Sequence, residues 1–279
     1  MLQLLAVSLL WAFSFGLVAR VSPLGAALVA SVRALLALAL FLPFLRLKGL
    51  PVRKGLALGA VGALQFGLMY VFYTASFHWL HAGEVALLTL LTPLLVALAE
   101  DALALSVAWR ALGVAVLAVA GTAVCLGARI TQAPVLKGFL LVQAANACFA
   151  LGQVAYRRVA RGMGRPDHQV MGLLYGGAAL VTLAAALPGL EFARLGQITG
   201  SQALVLAYLG LAASGLGFFL FNAGARRVSV GTLAVFNNAK VPLGVLVSGV
   251  VFGERLDLPR LLLGGGIIAL ALVLAPRKD

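Results

Sequence analysis

Acidic residues are scarce: eight Asp and Glu in 279 positions, against 21 Lys and Arg. Charges of both signs together reach only 10% of the chain, where a soluble domain carries about a quarter. A water-facing surface cannot be built from so few, which excludes a soluble globular protein. Cysteine is limited to Cys125 and Cys148. Both fall inside apolar runs and read as packing residues that say nothing of redox compartment. Catalytic signatures are missing too: there is no HExxH, no Gly-rich phosphate loop ending in GK[ST], and no GxSxG. The only acids within the spans, Glu84, Glu100 and Asp101, sit at the two ends of one apolar run, so an intramembrane aspartate pair or metal cluster at mid-membrane lacks ligands. Enzyme activity, a resident metal and a cofactor are therefore not expected. The N-terminus, MLQLLAVSLLW, has no basic segment before its apolar run, and the first span is expected to remain in the mature protein.

What the chain has instead is apolar length. Hydrophobic residues make up 63% and the mean hydropathy is +1.08, a ratio that suits a chain whose solvent is mostly lipid. In lipid every backbone group must be satisfied internally, which leaves helices or a closed barrel. The runs are long and lack strand-like alternation, so helices are selected. Ten spans are read: 2–19, 25–45, 55–77, 82–103, 106–127, 136–159, 168–187, 201–222, 231–252 and 258–275. Connections are short, with no room for a soluble domain.

The net charge of +13 does not signal nucleic acid, because the basic residues cluster between spans. With the N-terminus inside, thirteen of the 21 fall on the cytoplasmic side, among them Arg46, Lys48, Arg157, Arg165 and Arg226. Six fall outside, and Arg33 and Lys240 lie within spans. That asymmetry predicts both termini in the cytoplasm.

The chain also echoes itself. WAFSFGLVAR (11–20) resembles ACFALGQVAYR (147–157), and HAGEVALLTLLTP (81–93) resembles SVGTLAVFNNAKVP (229–242). Five spans per half is an odd number, so the second copy must cross the membrane upside down. The expected architecture is an all-α membrane protein of ten transmembrane helices in two inverted five-helix repeats, residues 1–129 and 130–279. Inverted repeats place a substrate site near the midplane where they meet.

Ionisable groups inside spans are costly and mark candidate sites. Arg33 stands eight residues into its span, roughly 12 Å at helical rise. It reads either as a structural cation held by carbonyls or as a binding group. Lys240, in NNAKVP, has Pro242 beside it to free carbonyls and reads as functional. Polar stripes accompany them. Gln143, Asn146, Gln153 and Tyr156 share one face of the sixth span. Gln65, Met69 and Tyr73 step by four in the third, as do Ser214, Phe218 and Asn222 in the eighth; Asn237 and Lys240 stand three apart in the ninth. Single polar residues commonly bond helix to helix; several amides plus a cation on repeat-related spans point to a site. Trp11, Phe13 and Phe15 face either lipid or a cavity. Glu84 reads as a helix cap, with a proton-handling cluster beside His78 and His81 as the alternative.

From LLWAFSFG (9–16), the ten short spans, the duplication and the prolines late in the fourth and ninth spans, the chain resembles the drug/metabolite transporter superfamily, of the EamA type. Within it, FLPFLR (41–46), LTLLTPL (88–94), GFLLVQAANACFALG (138–152), ASGLGFF (213–219) and GTLAVFNNAKVP (231–242) resemble YigM-type biotin importers of the carboxylate/amino acid/amine branch. The resemblance implies a secondary transporter that imports biotin by alternating access through a cavity lined by spans 1, 3, 4, 6, 8 and 9. It points to Trp11, Gln143, Asn146, Asn237, Asn238 and Lys240. The residue chemistry suits such a substrate: a cation at Lys240 for a carboxylate, amides for a ureido ring, and Trp11, Tyr73 and Phe218 as apolar walls. Arg33 and Glu84 are the further coupling or structural charges. The alternatives are an exporter of amino acids or related metabolites, and a non-transporting receptor or scaffold. The expected partners are a small-molecule substrate and the lipid bilayer, with no nucleic acid; a monomer is compatible with all of this.

Overall fold

The computed structural model describes residues 2–103, 133–188, 191–227 and 257–274, with isolated positions between. All regular elements among these residues are helical. The helices are α1 (Leu2–Val21), α2 (Ala26–Phe41), α3 (Val52–Ser76), α4 (Ala82–Leu88 continuing through a 3-10 turn at Thr89–Leu91 into Thr92–Leu103), α5 (Ala133–Val159), α6 (Met171–Ala186), α7 (Gly200–Ala225) and α8 (Leu258–Leu274). Six are long and apolar enough to cross a membrane; α6 and α8 are shorter apolar helices. These eight coincide with eight of the ten spans read from sequence, to within a few residues. The other two, 106–127 and 231–252, lie outside the described residues apart from isolated positions.

Local chemistry sets several boundaries. Pro51 precedes α3, where a missing N–H costs nothing. Glu84 accepts the His81 N–H at 2.9 Å, the returning half of a capping box that starts α4. Thr199 and Gln202 make the same arrangement at the start of α7.

Two helices carry a π-helical stretch: Ala63–Leu68 in α3 and Tyr208–Leu216 in α7. Each goes with a pair of glycines five residues apart: Gly62 just before and Gly67 within the first, Gly210 and Gly215 within the second. A wider turn brings residues five apart onto one face. That face presses on a neighbour: Gly62 and Gly67 on α6, Gly210 and Gly215 on α2. A Cβ at Gly62 would fall on the Leu174 carbonyl, and one at Gly210 would lie 2.6 Å from Leu36 Cβ. No side chain fits at either point.

The packing follows one exchange of partners. α1 packs on α7 and α5 on α3; α7 packs on α2 and α3 on α6; α2 and α6 pack on each other. Swapping α1 with α5, α2 with α6 and α3 with α7 maps this set of contacts onto itself.

One end of the bundle gathers basic residues with their partners. Arg157 pairs with Glu100 at 3.0 Å and Arg226 with Asp167 at 2.5 Å. Tyr156 donates its hydroxyl hydrogen to the same Asp167 carboxylate. Arg165 reaches across to donate to the Arg46 and Lys48 carbonyls. Burial works against the charge on Arg226, but the hydrogen bond and charge of Asp167 outweigh it and hold the guanidinium pKa above its ordinary value. At the opposite end Arg194 donates to the Pro23 carbonyl, and Lys137 stands 4.5 Å over the Trp79 ring.

Candidate functional site

A cavity opens between α1, α2, α3, α4, α5 and α7, with about 540 Å³ of empty space including its mouth.

Its floor is aromatic. The Trp11 ring centre lies 4.9 Å from Phe218, 5.2 Å from Phe221 and 6.4 Å from Phe149. The Trp11 Nε1–H donates to the Ala213 carbonyl at 2.8 Å, fixing the indole against α7. Phe15, one turn on, meets the Tyr73 ring at 6.4 Å. Phe13 points to the other side of α1 and is exposed. The sequence left this aromatic triplet open between lipid and cavity; Trp11 and Phe15 line the cavity and Phe13 does not.

The polar wall comes from α4 and α5, and its geometry follows from Pro93. Proline has no N–H to give the Thr89 carbonyl four residues back. The helix tightens into its 3-10 turn there, and the Thr92 N–H and Thr92 Oγ1 both donate to the Thr89 carbonyl. The tightening releases the Leu88 carbonyl, which Thr92 would otherwise reach in an α-helix. Asn146 takes it, donating through Nδ2 at 3.0 Å, while Asn146 Oδ1 accepts the Thr92 hydroxyl at 3.1 Å. Gln143 stands behind, accepting the second Asn146 N–H at 3.2 Å. Asn146, Thr89 and Thr92 line the cavity; Gln143 buttresses it without lining it.

The remaining wall is a buried cation. Arg33 is 3% exposed and its guanidinium carbon lies 4.2 Å from the Tyr70 ring centre. Its Nε–H donates to Ser214 Oγ at 3.1 Å and Nη2 to the Tyr70 hydroxyl at 3.4 Å. Tyr70 in turn donates to Ser214 Oγ at 2.5 Å. Arg33 Nη1 has no hydrogen-bond partner among the described residues, and no carboxylate appears among the described lining residues. A guanidinium stacked on one face and bonded on one edge keeps a second edge for a planar anion.

Of the residues chosen from sequence, Trp11, Tyr73, Asn146, Phe218 and Arg33 meet at this cavity. Glu84 caps α4. Asn237, Asn238 and Lys240 lie outside the described residues. Tyr70, Thr89 and Thr92 were not singled out. The signal for the threonines was present in TLLTP, where two residues three apart before a proline share a face of a 3-10 turn. Tyr70 was hidden by the π-helical stretch before it, which shifts the phase of the helix.

A multi-pass helical bundle with a partly apolar cavity and, among its described lining residues, one buried cation has the form of a small-molecule transporter. The chain belongs to the EamA-like transporter family, whose pattern it matches twice, over residues 1–127 and 136–275. It is 42% identical to a protein of Pseudomonas aeruginosa named probable biotin transporter, over 98% of this chain and 96% of that one. It is 34% identical to a Salmonella typhimurium protein named biotin transporter, over 98% of this chain and 91% of that one. A crystal structure 24% identical shares the fold, with a TM-score of 0.68 over 98% of this chain and 94% of the other.

Proposed function

We propose that the protein imports biotin across the bacterial inner membrane by alternating access. The observation that carries this reading is the buried Nη1 of Arg33, without a hydrogen-bond partner, beside a cavity with no acid among its described lining residues. A buried charge near mid-membrane needs an anion or several hydrogen bonds, and a substrate carboxylate supplies the missing partner. The polar wall at Asn146, Thr89 and Thr92 suits a ureido group: Asn146 Oδ1 keeps a lone pair for a ureido N–H. Trp11, Tyr73, Phe149 and Phe218 suit the sulfur ring and aliphatic chain. On the sequence reading, Asn237, Asn238 and Lys240 add to this lining from the ninth span. An amino acid fits less well, because its ammonium group would face Arg33 with no carboxylate among the described lining residues.

The two family matches, the glycine-bearing π stretches in α3 and α7, and the contact pattern that survives exchange of helices all support two inverted repeats, residues 1–129 and 130–279. The clustering of basic residues at the Arg157–Arg226 end supports that end, and both termini, being cytoplasmic.

Radiolabelled biotin uptake into proteoliposomes tests the reading. Saturable uptake above protein-free vesicles, competed by unlabelled biotin, is expected; uptake no faster than in protein-free vesicles would refute it.

A further inference from the structure

Beneath the Trp11–Phe218 floor, on its basic side, a second set of polar groups is closed off from the cavity. Gln65 on α3 donates Nε2–H to Asn222 Oδ1 on α7 at 3.1 Å, and both residues are fully buried. That single bond leaves Gln65 Oε1 and Asn222 Nδ2 without a partner. Gln153 on α5, 1% exposed, has an unpartnered Nε2 as well. Its position is bracketed. Four residues before it, Phe149 packs on Phe218 and Phe221 of α7; three residues after it, Tyr156 donates to Asp167, the ion partner of Arg226. Asn222 lies between those same contacts on α7. The neighbouring Gly152 presses directly on Gln65, where a Cβ would find no room. The three amides therefore lie at one level of the bundle.

Buried amide atoms without partners are rare and costly, and each calls for a reason. Packing does not supply one, because leucine would fill the same space with no polar atom to satisfy. The leftover atoms have a definite chemistry: one carbonyl acceptor and two N–H donors. Rotating both members of the Gln65–Asn222 pair exchanges which oxygen and which nitrogen are free, and the count stays the same. A cyclic urea is the complement, with a carbonyl that accepts two hydrogen bonds and N–H groups that donate. The two helices that close the set, α3 and α7, are also the two that carry π-helical stretches, a feature common where helices serve function.

We propose that Gln65, Gln153 and Asn222 form a second station for the ureido group of the substrate, taken up after α3 and α7 part and the group passes the aromatic floor. The proposal rests on the ureido substrate reading above. In the conformation described, Gln65 and Asn222 bond each other in place of the substrate.

The test uses the full-length protein with Gln65, Gln153 or Asn222 changed singly to Leu. Biotin binding is measured in detergent, and maximal uptake rates in proteoliposomes are measured for biotin and for 2-iminobiotin, whose ring carries C=NH where biotin has C=O. Each variant should bind biotin within about threefold of wild type at the upper cavity, yet take it up at least about tenfold more slowly. The wild type should carry biotin faster than 2-iminobiotin, since the analogue turns a donor toward two protein donors, and that ratio should fall toward one in the variants. Uptake of biotin at the wild-type rate in all three variants would overturn the station. So would an equal fall for both substrates, which would make the amides a latch between helices. Failure of the wild type to transport biotin at all would overturn the substrate reading, and the station with it.

Discussion

Arg33 on α2 and Tyr70 on α3 stack with the guanidinium carbon 4.2 Å from the ring centre. The two are bonded again through Ser214, which accepts from both. This triad joins α2, α3 and α7 at the cavity wall. It is self-sufficient without the arginine, because the Tyr70–Ser214 bond and the bond from Ser214 Oγ to the Leu209 carbonyl, 2.6 Å, both survive its removal. A cation that its neighbours do not need for their own satisfaction is free to serve a ligand.

On the proposed reading, the aromatic floor meets the uncharged part of the substrate. Phe218→Leu should weaken biotin and biotin amide by the same factor, about three- to tenfold, since an aromatic contact is worth roughly 0.5–1.5 kcal/mol beyond its area. Titration calorimetry with both ligands checks this, and a loss confined to one ligand would contradict it.

Asn146 should matter twice over. Replacing it by Ala leaves the Leu88 carbonyl without the side-chain donor it accepts at 3.0 Å and removes the longer of the Thr92 hydroxyl's two contacts, leaving that to the Thr89 carbonyl. A buried polar group left unpaired costs about 1–3 kcal/mol, so the melting temperature should fall. Biotin affinity should fall by roughly tenfold as well, from the lost ureido contact. Unchanged affinity with lowered stability would confine Asn146 to bracing the 3-10 turn.

Much of this was legible from residue order. The ends of eight helices follow from where apolar runs meet Gly, Pro and basic residues. Trp11, Asn146 and Phe218 stood out as large or polar side chains deep in apolar spans. Steps of four found the stripe Ser214, Phe218 and Asn222, which holds because α7 returns to α-helix at Gly217. The same step misses Tyr70, because Ala63–Leu68 is wound wider than an α-helix. Arg33 was visible as a charge in a span, but whether its partners were carbonyls or a ring could not be read from order alone. That depends on α2 meeting α3 and α7, a contact made across 37 and 181 positions of chain.

The glycine pairs give a packing test. Gly62→Ala should push α3 from α6 and cost about 1–3 kcal/mol, as overpacking does. Gly176→Ala, where an added Cβ meets nothing within 4 Å, should stay within about 0.5 kcal/mol. Thermal unfolding in detergent compares the two; equal melting temperatures would contradict the close approach.

Topology can be read by labelling. In a background with Cys125 and Cys148 replaced, Arg161→Cys should react with an impermeant maleimide only after the membrane is opened, and Gly196→Cys should react in intact cells. Labelling of both from the same side would contradict the inverted arrangement.

The central claim is that Arg33 holds the substrate carboxylate, and the ratio of biotin to biotin amide affinity in Arg33→Gln tests it most directly. Breaking a buried charge pair costs about 3–5 kcal/mol, so the wild type should prefer biotin over its uncharged amide by at least about a hundredfold. Arg33→Gln should bring that ratio near one while the protein keeps its melting temperature, since Tyr70 and Ser214 stay bonded. An unchanged ratio, with both ligands weakened alike and the protein less stable, would show Arg33 to be a structural cation and move the carboxylate to Lys240.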